Sequence, residues 1–218
     1  MDFTTKKAVL FDLDGTITDS GEGIINSLKY ALKAYGISNY DEKELYRFLG
    51  PPLTEAFMEI LGFDELKAKK AVDKYREYFR DTGIFENRLY DGIDLLLEKL
   101  ASGGRKVILA TSKAEVFAVR ILEHFRISQY FWAVAGSELD GARNKKSEVI
   151  RHALDKAGIV ELGSAVMVGD RKHDVFGAKE MGIDSIGVLY GYGNREELEN
   201  AGASMIVETV EALHKALL

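Results

Sequence analysis

A short apolar run near the start of the chain stops abruptly at two aspartates, and no other feature constrains the fold as strongly. Residues Ala8 to Phe11 are all apolar, which predicts a buried strand, and Asp12-Leu13-Asp14-Gly15-Thr16 follows directly. The glycine permits a sharp turn at this point. Because residues two apart on a strand point the same way, both carboxylates are expected to face one crevice at the carboxyl end of a parallel sheet.

The later part of the chain alternates between strand-like apolar runs and helical patterns. The predicted strands after the first one are 106–110, 133–136, 165–168, 185–188 and 205–207. Apolar residues at helical spacing separate most of them. Strands that alternate with helices form a parallel sheet covered on both faces, so the predicted fold class is α/β, with a Rossmann-like three-layer α/β/α core.

A long helical stretch interrupts this alternation. No strand-like run occurs between about residues 20 and 88, where four helical patterns follow one another. Asp41 and Thr54 are the predicted N-caps of the second and third helices, and the fourth follows Asp64. The stretch is far longer than one crossover helix needs. We therefore predict a core domain of residues 1–19 and 89–218 and an inserted helical domain of residues 20–88.

The composition excludes several kinds of site and partner. The chain has 218 residues, of which 46% are hydrophobic and 29% charged, as in ordinary globular proteins. It has no cysteine, which excludes disulfides, thiolate nucleophiles and cysteine-ligated metals. The net charge of −6 and the scattered basic residues argue against a nucleic-acid polymer as a partner. The first residues lack the apolar core of a signal peptide, and no stretch is apolar enough to span a bilayer, so we expect a cytoplasmic protein without membrane contact.

Polar groups suited to phosphate chemistry follow three of the predicted strands. Asp12 and Asp14 end the first strand, Thr111-Ser112 the second and Asp170 the fourth, while Lys145-Lys146 lies at the start of a helix. Taken singly, these groups also fit turns, helix caps or solvated charges. Together they supply a carboxylate nucleophile, an acid or base, phosphate-binding groups, a cation and oxygen ligands for Mg²⁺.

These segments resemble the motifs of a known family. Asp12-Leu13-Asp14-Gly15-Thr16, Thr111-Ser112-Lys113, Lys146 and the run from Gly169 to Asp174 resemble the four motifs of haloacid dehalogenase-like phosphatases. The helical insertion is similar to the cap that this superfamily places after its first strand. The loop segments 16–20, 48–53, 90–92 and 187–193 resemble the phosphoglycolate-phosphatase-like branch. The resemblance covers essentially the whole chain.

The resemblance implies a role for each acidic residue. Asp12 would be the nucleophile that becomes phosphorylated and a ligand of Mg²⁺. Asp14 would be the general acid and base and would also present its backbone carbonyl to the metal. Asp170 would complete the metal site, with Asp174 supporting it. Dehalogenases of the superfamily lack the second aspartate and the metal, so Asp14 favours phosphoryl transfer over dehalogenation.

The phosphate-binding residues follow from the same resemblance. Thr111, Ser112 and Lys146 would bind the transferring phosphoryl group. The third motif departs from the commoner form, in which proline follows the lysine, and two neighbouring lysines are present. Lys146 is the predicted ligand, because related sequences carry a lysine at this distance before a Val-Ile pair, and Lys145 remains the alternative.

The cap would choose the substrate, and Glu22, Arg47 and Gly50 are the predicted specificity residues. An arginine at position 47 could bind a second anionic group of the substrate. The predicted function is a Mg²⁺-dependent phosphatase for a small phosphorylated metabolite, such as phosphoglycolate or a nucleoside monophosphate, in a monomer or dimer. The alternatives are a sugar phosphomutase of the β-phosphoglucomutase type, a pyrophosphatase, and a non-catalytic binding module on the same scaffold.

Overall fold

The apolar run at residues 8–11 forms the central strand of the sheet. In the computed structural model, which describes residues 2–140 and 142–218, this strand lies between the strands that begin at Lys106 and Ala165. Two-residue strands flank the helical stretch, and the remaining strands follow in the core. The strands are β1 Ala8–Phe11, β2 Thr18–Asp19, β3 Arg88–Leu89, β4 Lys106–Ala114, β5 Phe131–Ser137, β6 Ala165–Gly169, β7 Asp184–Val188 and β8 Met205–Val207. The main sheet has the order β5-β4-β1-β6-β7-β8, and its strands pair in parallel.

Helices connect the strands and cover both faces of the main sheet. They are α1 Gly21–Ala34, α2 Glu42–Leu45, α3 Leu53–Leu61, α4 Glu65–Tyr78, α5 Ile93–Ser102, α6 Glu115–His124, α7 Lys146–Ala157, α8 Lys172–Glu180, α9 Arg195–Ala201 and α10 Val210–Leu217. Successive residues of β1 point to opposite faces: Val9 and Phe11 pack into one apolar cluster, Ala8 and Leu10 into another. The predicted α/β class with helices on both faces is therefore confirmed.

Helices α1 to α4 lie between β2 and β3, and we call residues 20–87 the helical insert. Its entry and exit strands pair with each other in antiparallel fashion, Thr18 with Leu89 and Asp19 with Arg88. Helix α4 packs on both α1 and α3. The interior of the insert includes a chain of aromatic contacts that joins Phe48, Phe57, Phe63 and Tyr35.

Several predicted elements differ in detail from the structure. Helix α3 begins at Leu53 after Pro52, so Thr54 lies inside its first turn and the prediction that Thr54 caps it is wrong. Proline suits this entry because its φ is already fixed. Asp41 and Asp64 do cap their helices, accepting backbone N–H bonds at 2.9 Å and 2.8 Å. No helix among the described residues is both long and apolar enough to cross a membrane.

Candidate active site

The carboxyl ends of three neighbouring strands meet at one edge of the sheet. Phe11 pairs with Leu109 of β4 and with Val168 of β6, so the three strands reach this edge in register. The backbone N–H of Asp12 still bonds the Val168 carbonyl at 2.9 Å, which holds the residue at the strand end. The polar residues gathered by this register are Asp12, Thr111 and Asp170.

A buried lysine links two of the aspartates. The Lys146 ammonium group lies 2.8 Å from Asp12 Oδ1 and 2.8 Å from Asp174 Oδ1, and it donates to the Ala110 carbonyl at 2.9 Å. Burial by itself lowers the pKa of Lys146, but the attraction of the two carboxylates outweighs it, so the pKa is raised and the lysine stays charged. Lys145, one residue earlier, is exposed. The structure thus brings Lys146 into the site and leaves Lys145 at the surface.

Three carboxylates crowd together beside this lysine. Asp12, Asp170 and Asp174 each offer an oxygen within 4.8 Å of the others. Burial raises the pKa of Asp170 well above its ordinary value, and repulsion from Asp174 and Asp12 adds to the effect. Burial also raises the pKa of Asp174 to about 6, against the opposing pull of Lys146. One ammonium group leaves this cluster short of positive charge, and oxygen ligands in this number suit a hard divalent cation.

The Asp170 carboxylate fits into a space that only glycine leaves open. Gly15 has φ +79°, and a Cβ atom there would lie 2.2 Å from Asp170 Oδ2. The Tyr192 N–H donates to the same oxygen at 2.7 Å, and the Thr16 hydroxyl reaches Oδ1 at 3.4 Å. The turn after β1 and the loop after β7 therefore hold this carboxylate from two sides.

Asp14 is held by two partners of different kinds. Its Oδ1 accepts a hydrogen bond from the Ser20 hydroxyl at 2.5 Å, and its Oδ2 lies 2.9 Å from the Lys113 ammonium group. The next hydroxyl along the edge, that of Thr111, is buried and accepts the Lys113 N–H at 3.2 Å. Lys113 thus contacts both Asp14 and Thr111 at this end of the sheet.

A cleft of about 660 Å³ opens above these residues, between the helical insert and the core. Asp12, Asp14, Thr111 and Ser112 lie on its core side. Most of the aromatic and aliphatic side chains in its apolar wall belong to the insert, and the ring of Phe117 belongs to the core. The residues of this wall include Ile24, Phe48, Val72, Tyr75, Phe79 and Phe117. The cleft therefore offers a charged floor for a phosphoryl group and an apolar wall for the rest of a substrate.

The model of the haloacid dehalogenase-like hydrolase family matches residues 9–188. This chain is a haloacid dehalogenase-like hydrolase. A 5′-nucleotidase from Pseudomonas aeruginosa is 47% identical to it over 209 residues, which cover 96% of this chain and 94% of that protein. The tyrosine-protein kinase PtkA from Mycobacterium tuberculosis is 39% identical over 211 residues, which cover 96% and 72%. The solved structure of "a predicted phosphatase from Clostridium acetobutylicum" is 50% identical, with a TM-score of 0.93 and coverage of 96% and 97%.

The insert of this hydrolase touches the core at points beside the cleft. Arg171, which directly follows Asp170, donates to the Leu49 carbonyl of the insert and pairs with Glu197 of the core at 2.9 Å. Gly50, at φ +109°, leaves room for that guanidinium group, since a Cβ atom there would lie 2.8 Å from Arg171 Nη1. Gly50 also lines the cleft, as its prediction as a specificity residue requires.

Two other predicted specificity residues lie elsewhere in the hydrolase. Arg47 is exposed and forms an ion pair with Glu44 on its own turn at 2.5 Å, and Glu22 is exposed on α1. Neither lines the cleft. The expectation that Arg47 and Glu22 face the substrate therefore needs correction: the packing of α1 and of the turn after α2 directs their side chains to solvent. Sequence spacing within a helix does not determine which face meets another domain.

Four residues that shape the site of this hydrolase have no role predicted from the sequence. Ser20 and Lys113 bind the Asp14 carboxylate, Tyr192 binds Asp170, and Arg171 joins the insert to the core. Lys113 and Arg171 each lie within two residues of a predicted site residue. Proximity in sequence to a predicted site residue is thus the one indication that these two residues belong to the site. It does not predict which group a long side chain contacts.

Proposed function

We propose that this hydrolase is a Mg²⁺-dependent phosphomonoesterase that acts on a small phosphorylated metabolite through a phosphoaspartate at Asp12. The observation that carries the proposal is the buried Lys146 ammonium group between Asp12 and Asp174, because Asp12 also lines the cleft shared by core and insert. A buried cation beside the attacking carboxylate offsets the charge of an incoming phosphate. In this proposal the helical insert acts as a cap domain.

The residues of the acidic cluster fit a divalent cation. Burial raises the pKa values of Asp170 and Asp174, repulsion between neighbouring carboxylates adds to the effect, and Lys146 supplies only one balancing charge. Asp12 and Asp170 would hold Mg²⁺ together with the backbone carbonyl of Asp14, and Asp174 would orient Lys146. When bound, the ion supplies charge neutralisation at the phosphoryl oxygens.

The first chemical step transfers the phosphoryl group to the enzyme. A carboxylate oxygen of Asp12 attacks phosphorus, the bond from phosphorus to the ester oxygen breaks, and Asp14 gives a proton to the departing oxygen. Leu13 N–H and Lys146 both bind Oδ1 of Asp12, at 2.8 Å each, which favours Oδ2 as the attacking atom. Thr111 and Lys146 hold the phosphoryl oxygens while they change position.

The second step returns the enzyme to its starting state. Water attacks the phosphorus of the acyl phosphate, the bond to the Asp12 oxygen breaks, and Asp14 accepts the proton of that water. Inorganic phosphate then leaves. The apolar wall of the cleft keeps bulk water away from the acyl phosphate in the meantime.

A nucleoside monophosphate suits the cleft better than phosphoglycolate does. The volume of about 660 Å³ far exceeds the needs of a two-carbon acid, and the more exposed apolar residues of its wall, Pro52, Leu53 and Met58, offer contact area for a base. Arg47, the predicted partner for a second anionic group, lies outside the cleft. The 47% identical relative named as a 5′-nucleotidase supports the same choice.

A panel of phosphate esters tests this proposal. The purified hydrolase is assayed for phosphate release from nucleoside monophosphates, phosphoglycolate, pyrophosphate and hexose phosphates, with Mg²⁺ and with EDTA. We expect Mg²⁺-dependent release that is fastest with a nucleoside monophosphate and needs no bisphosphate activator, which separates the enzyme from a phosphomutase. Inactivity towards every ester would favour a binding module. The Asp12→Asn variant, purified in parallel, controls for contaminating phosphatases.

Metal binding is expected to stabilise the protein more at pH 7.5 than at pH 5. The pKa of Asp174 is about 6 in the folded protein and 3.8 as its reference, so the cost of ionising it grows as the pH rises towards and through 6. Bound Mg²⁺ offsets this cost. At about 100 times the dissociation constant, Mg²⁺ should raise the melting temperature by about 5–10 °C at pH 7.5.

The matched control is Asp170→Asn. Removing one of the crowded carboxylates should raise the melting temperature in EDTA above that of the wild type. It should also nearly abolish the rise in melting temperature that Mg²⁺ causes, so the variant is more stable without the ion and gains less stability from it. Thermal unfolding followed by circular dichroism measures both. An equal Mg²⁺ shift in the variant and the wild type would contradict the assignment of Asp170 as a ligand.

Gly50→Ala is expected to raise the KM for the substrate through the contact with Arg171. The added methyl group would displace the guanidinium group from the Leu49 carbonyl and loosen the insert. We expect KM to rise about tenfold with a smaller change in kcat. Gly36→Ala is the control, because Gly36 also has positive φ, at +69°, but has nothing within 4 Å of its Cβ position. Steady-state kinetics of both variants tests this prediction. A similar rise in KM in the two variants would show that the contact with Arg171 is not the cause.

A further inference from the structure

Lys113 lies between a carboxylate of the core and an aromatic ring of the helical insert. Its ammonium group is 2.9 Å from Asp14 Oδ2 and 4.5 Å from the centroid of the Phe79 ring. The side chain of Lys113 is only 8% exposed and that of Asp14 only 15%. A charged pair so poorly hydrated has its geometry fixed by the protein rather than by solvent.

Two further contacts restrain the orientation of the Asp14 carboxylate and connect it to Thr111. The Ser20 hydroxyl binds Oδ1 at 2.5 Å, so each carboxylate oxygen has one partner and the carboxyl plane is fixed. The backbone N–H of Lys113 also donates to the Thr111 hydroxyl at 3.2 Å. One residue thereby connects the proposed acid and base to the proposed phosphate-binding hydroxyl.

Phe79 is itself held by both parts of the protein. Its ring stacks on Tyr75 of the insert with a centroid distance of 5.3 Å and meets the ring of Phe117 of the core edge-on at 5.5 Å. A cation over the face of an aromatic ring is attracted to it, and the attraction is larger where water is excluded. The position of the Lys113 ammonium group therefore depends on the insert as well as on the core.

We propose that Lys113 is a positioning residue, which holds the Asp14 carboxyl group towards the ester oxygen of the substrate, and that Phe79 keeps Lys113 in place. This inference rests on the proposed phosphomonoesterase function. Lys113 contributes to catalysis only through Asp14, because the Lys113 ammonium group contacts the Asp14 carboxylate and the Phe79 ring. The arrangement makes proton transfer by Asp14 depend on contact between insert and core.

The test compares two esters that differ in their need for a proton on the leaving oxygen. p-Nitrophenyl phosphate releases a stable anion, whereas a nucleoside 5′-monophosphate releases an alkoxide that must be protonated. Lys113→Met removes the ammonium group and keeps most of the unbranched side chain. In this variant kcat/KM for the most active nucleotide of the panel should fall about a hundredfold, and that for p-nitrophenyl phosphate by less than about fivefold. Lys113→Arg should recover much of the nucleotide activity. Phe79→Leu should show the same selective loss at a smaller size.

A double-variant cycle separates positioning from structural damage. In the Asp14→Asn background, Lys113→Met should lower kcat/KM for the nucleotide no further, because its only route of action has been removed. The Mg²⁺-induced rise in melting temperature should persist in Lys113→Met. Equal losses for both esters, or additive losses in the double variant, would overturn the inference while leaving the phosphatase proposal intact. Inactivity of the wild type towards both esters would overturn both.

Discussion

Asp12→Asn should lower turnover of every phosphate ester by at least about a thousandfold while leaving the fold unchanged. The amide has nearly the shape of the carboxylate but cannot attack phosphorus. Asp170 and Asp174 would lose a repelling neighbour, while Lys146 would keep Asp174 as a partner. We therefore expect a melting temperature in EDTA equal to or above that of the wild type.

Acid-quenched protein provides the direct measurement. After incubation with substrate, wild-type protein should carry a phosphoryl group on the peptide that contains Asp12, and the variant should carry none. Asp184→Asn is the matched control: Asp184 begins β7 at the other end of the sheet, where it pairs with Lys6 at 2.6 Å. This control should keep full turnover. Retained turnover in Asp12→Asn would remove Asp12 as the nucleophile.

Lys146→Met should lower both the turnover and the free energy of unfolding. The neighbouring Lys145 provides a matched control. Removing the ammonium group leaves two buried carboxylates unpaired, which typically costs about 3–5 kcal/mol when a buried pair is broken. In a chain of this size that corresponds to a fall in melting temperature on the order of 10 °C in EDTA. Turnover should fall at least about a hundredfold, because the phosphoryl group loses its cation.

Lys145→Met changes the same side chain one residue earlier. Lys145 is exposed, so its loss should change the free energy of unfolding by less than about 0.5 kcal/mol and leave kcat/KM within a small factor. Urea unfolding with EDTA and steady-state kinetics measure both variants side by side. If the two substitutions had equal effects, Lys146 would not be the cation of the site.

The core of the fold follows from local pattern, because its strands are short apolar runs that end in polar residues. Strand β1 begins and ends at the predicted residues, as does β8. Helix α9 was not predicted: it has only seven residues, four of them charged, and packs chiefly through Leu198 and Ala201. The pairing of β2 with β3 joins residues about seventy positions apart, and two-residue strands carry no periodicity that could reveal it.

The site was predictable where strand ends determine it and unpredictable where long side chains or the insert do. Asp12, Thr111 and Asp170 meet because parallel strands end at one edge. The choice between Lys145 and Lys146 depends on the rotation of α7, which the sequence leaves open. Arg47 is a predicted specificity residue because an arginine could bind a second anionic group, whereas its position depends on how the turn after α2 packs. The link from Lys113 to Asp14 depends on tertiary structure alone.

The antiparallel pairing of β2 with β3 allows the helical insert to be exchanged between homologous hydrolases. Because Thr18 faces Leu89 and Asp19 faces Arg88, the chain leaves the core and returns to it at a single place. A foreign segment whose two ends lie one strand spacing apart, about 4.8 Å, could replace residues 20–87 without altering the main sheet. Grafting the corresponding segment of a homologue at these two junctions should thus yield a folded chimera, which makes exchange of whole segments a practical route to new substrate preferences.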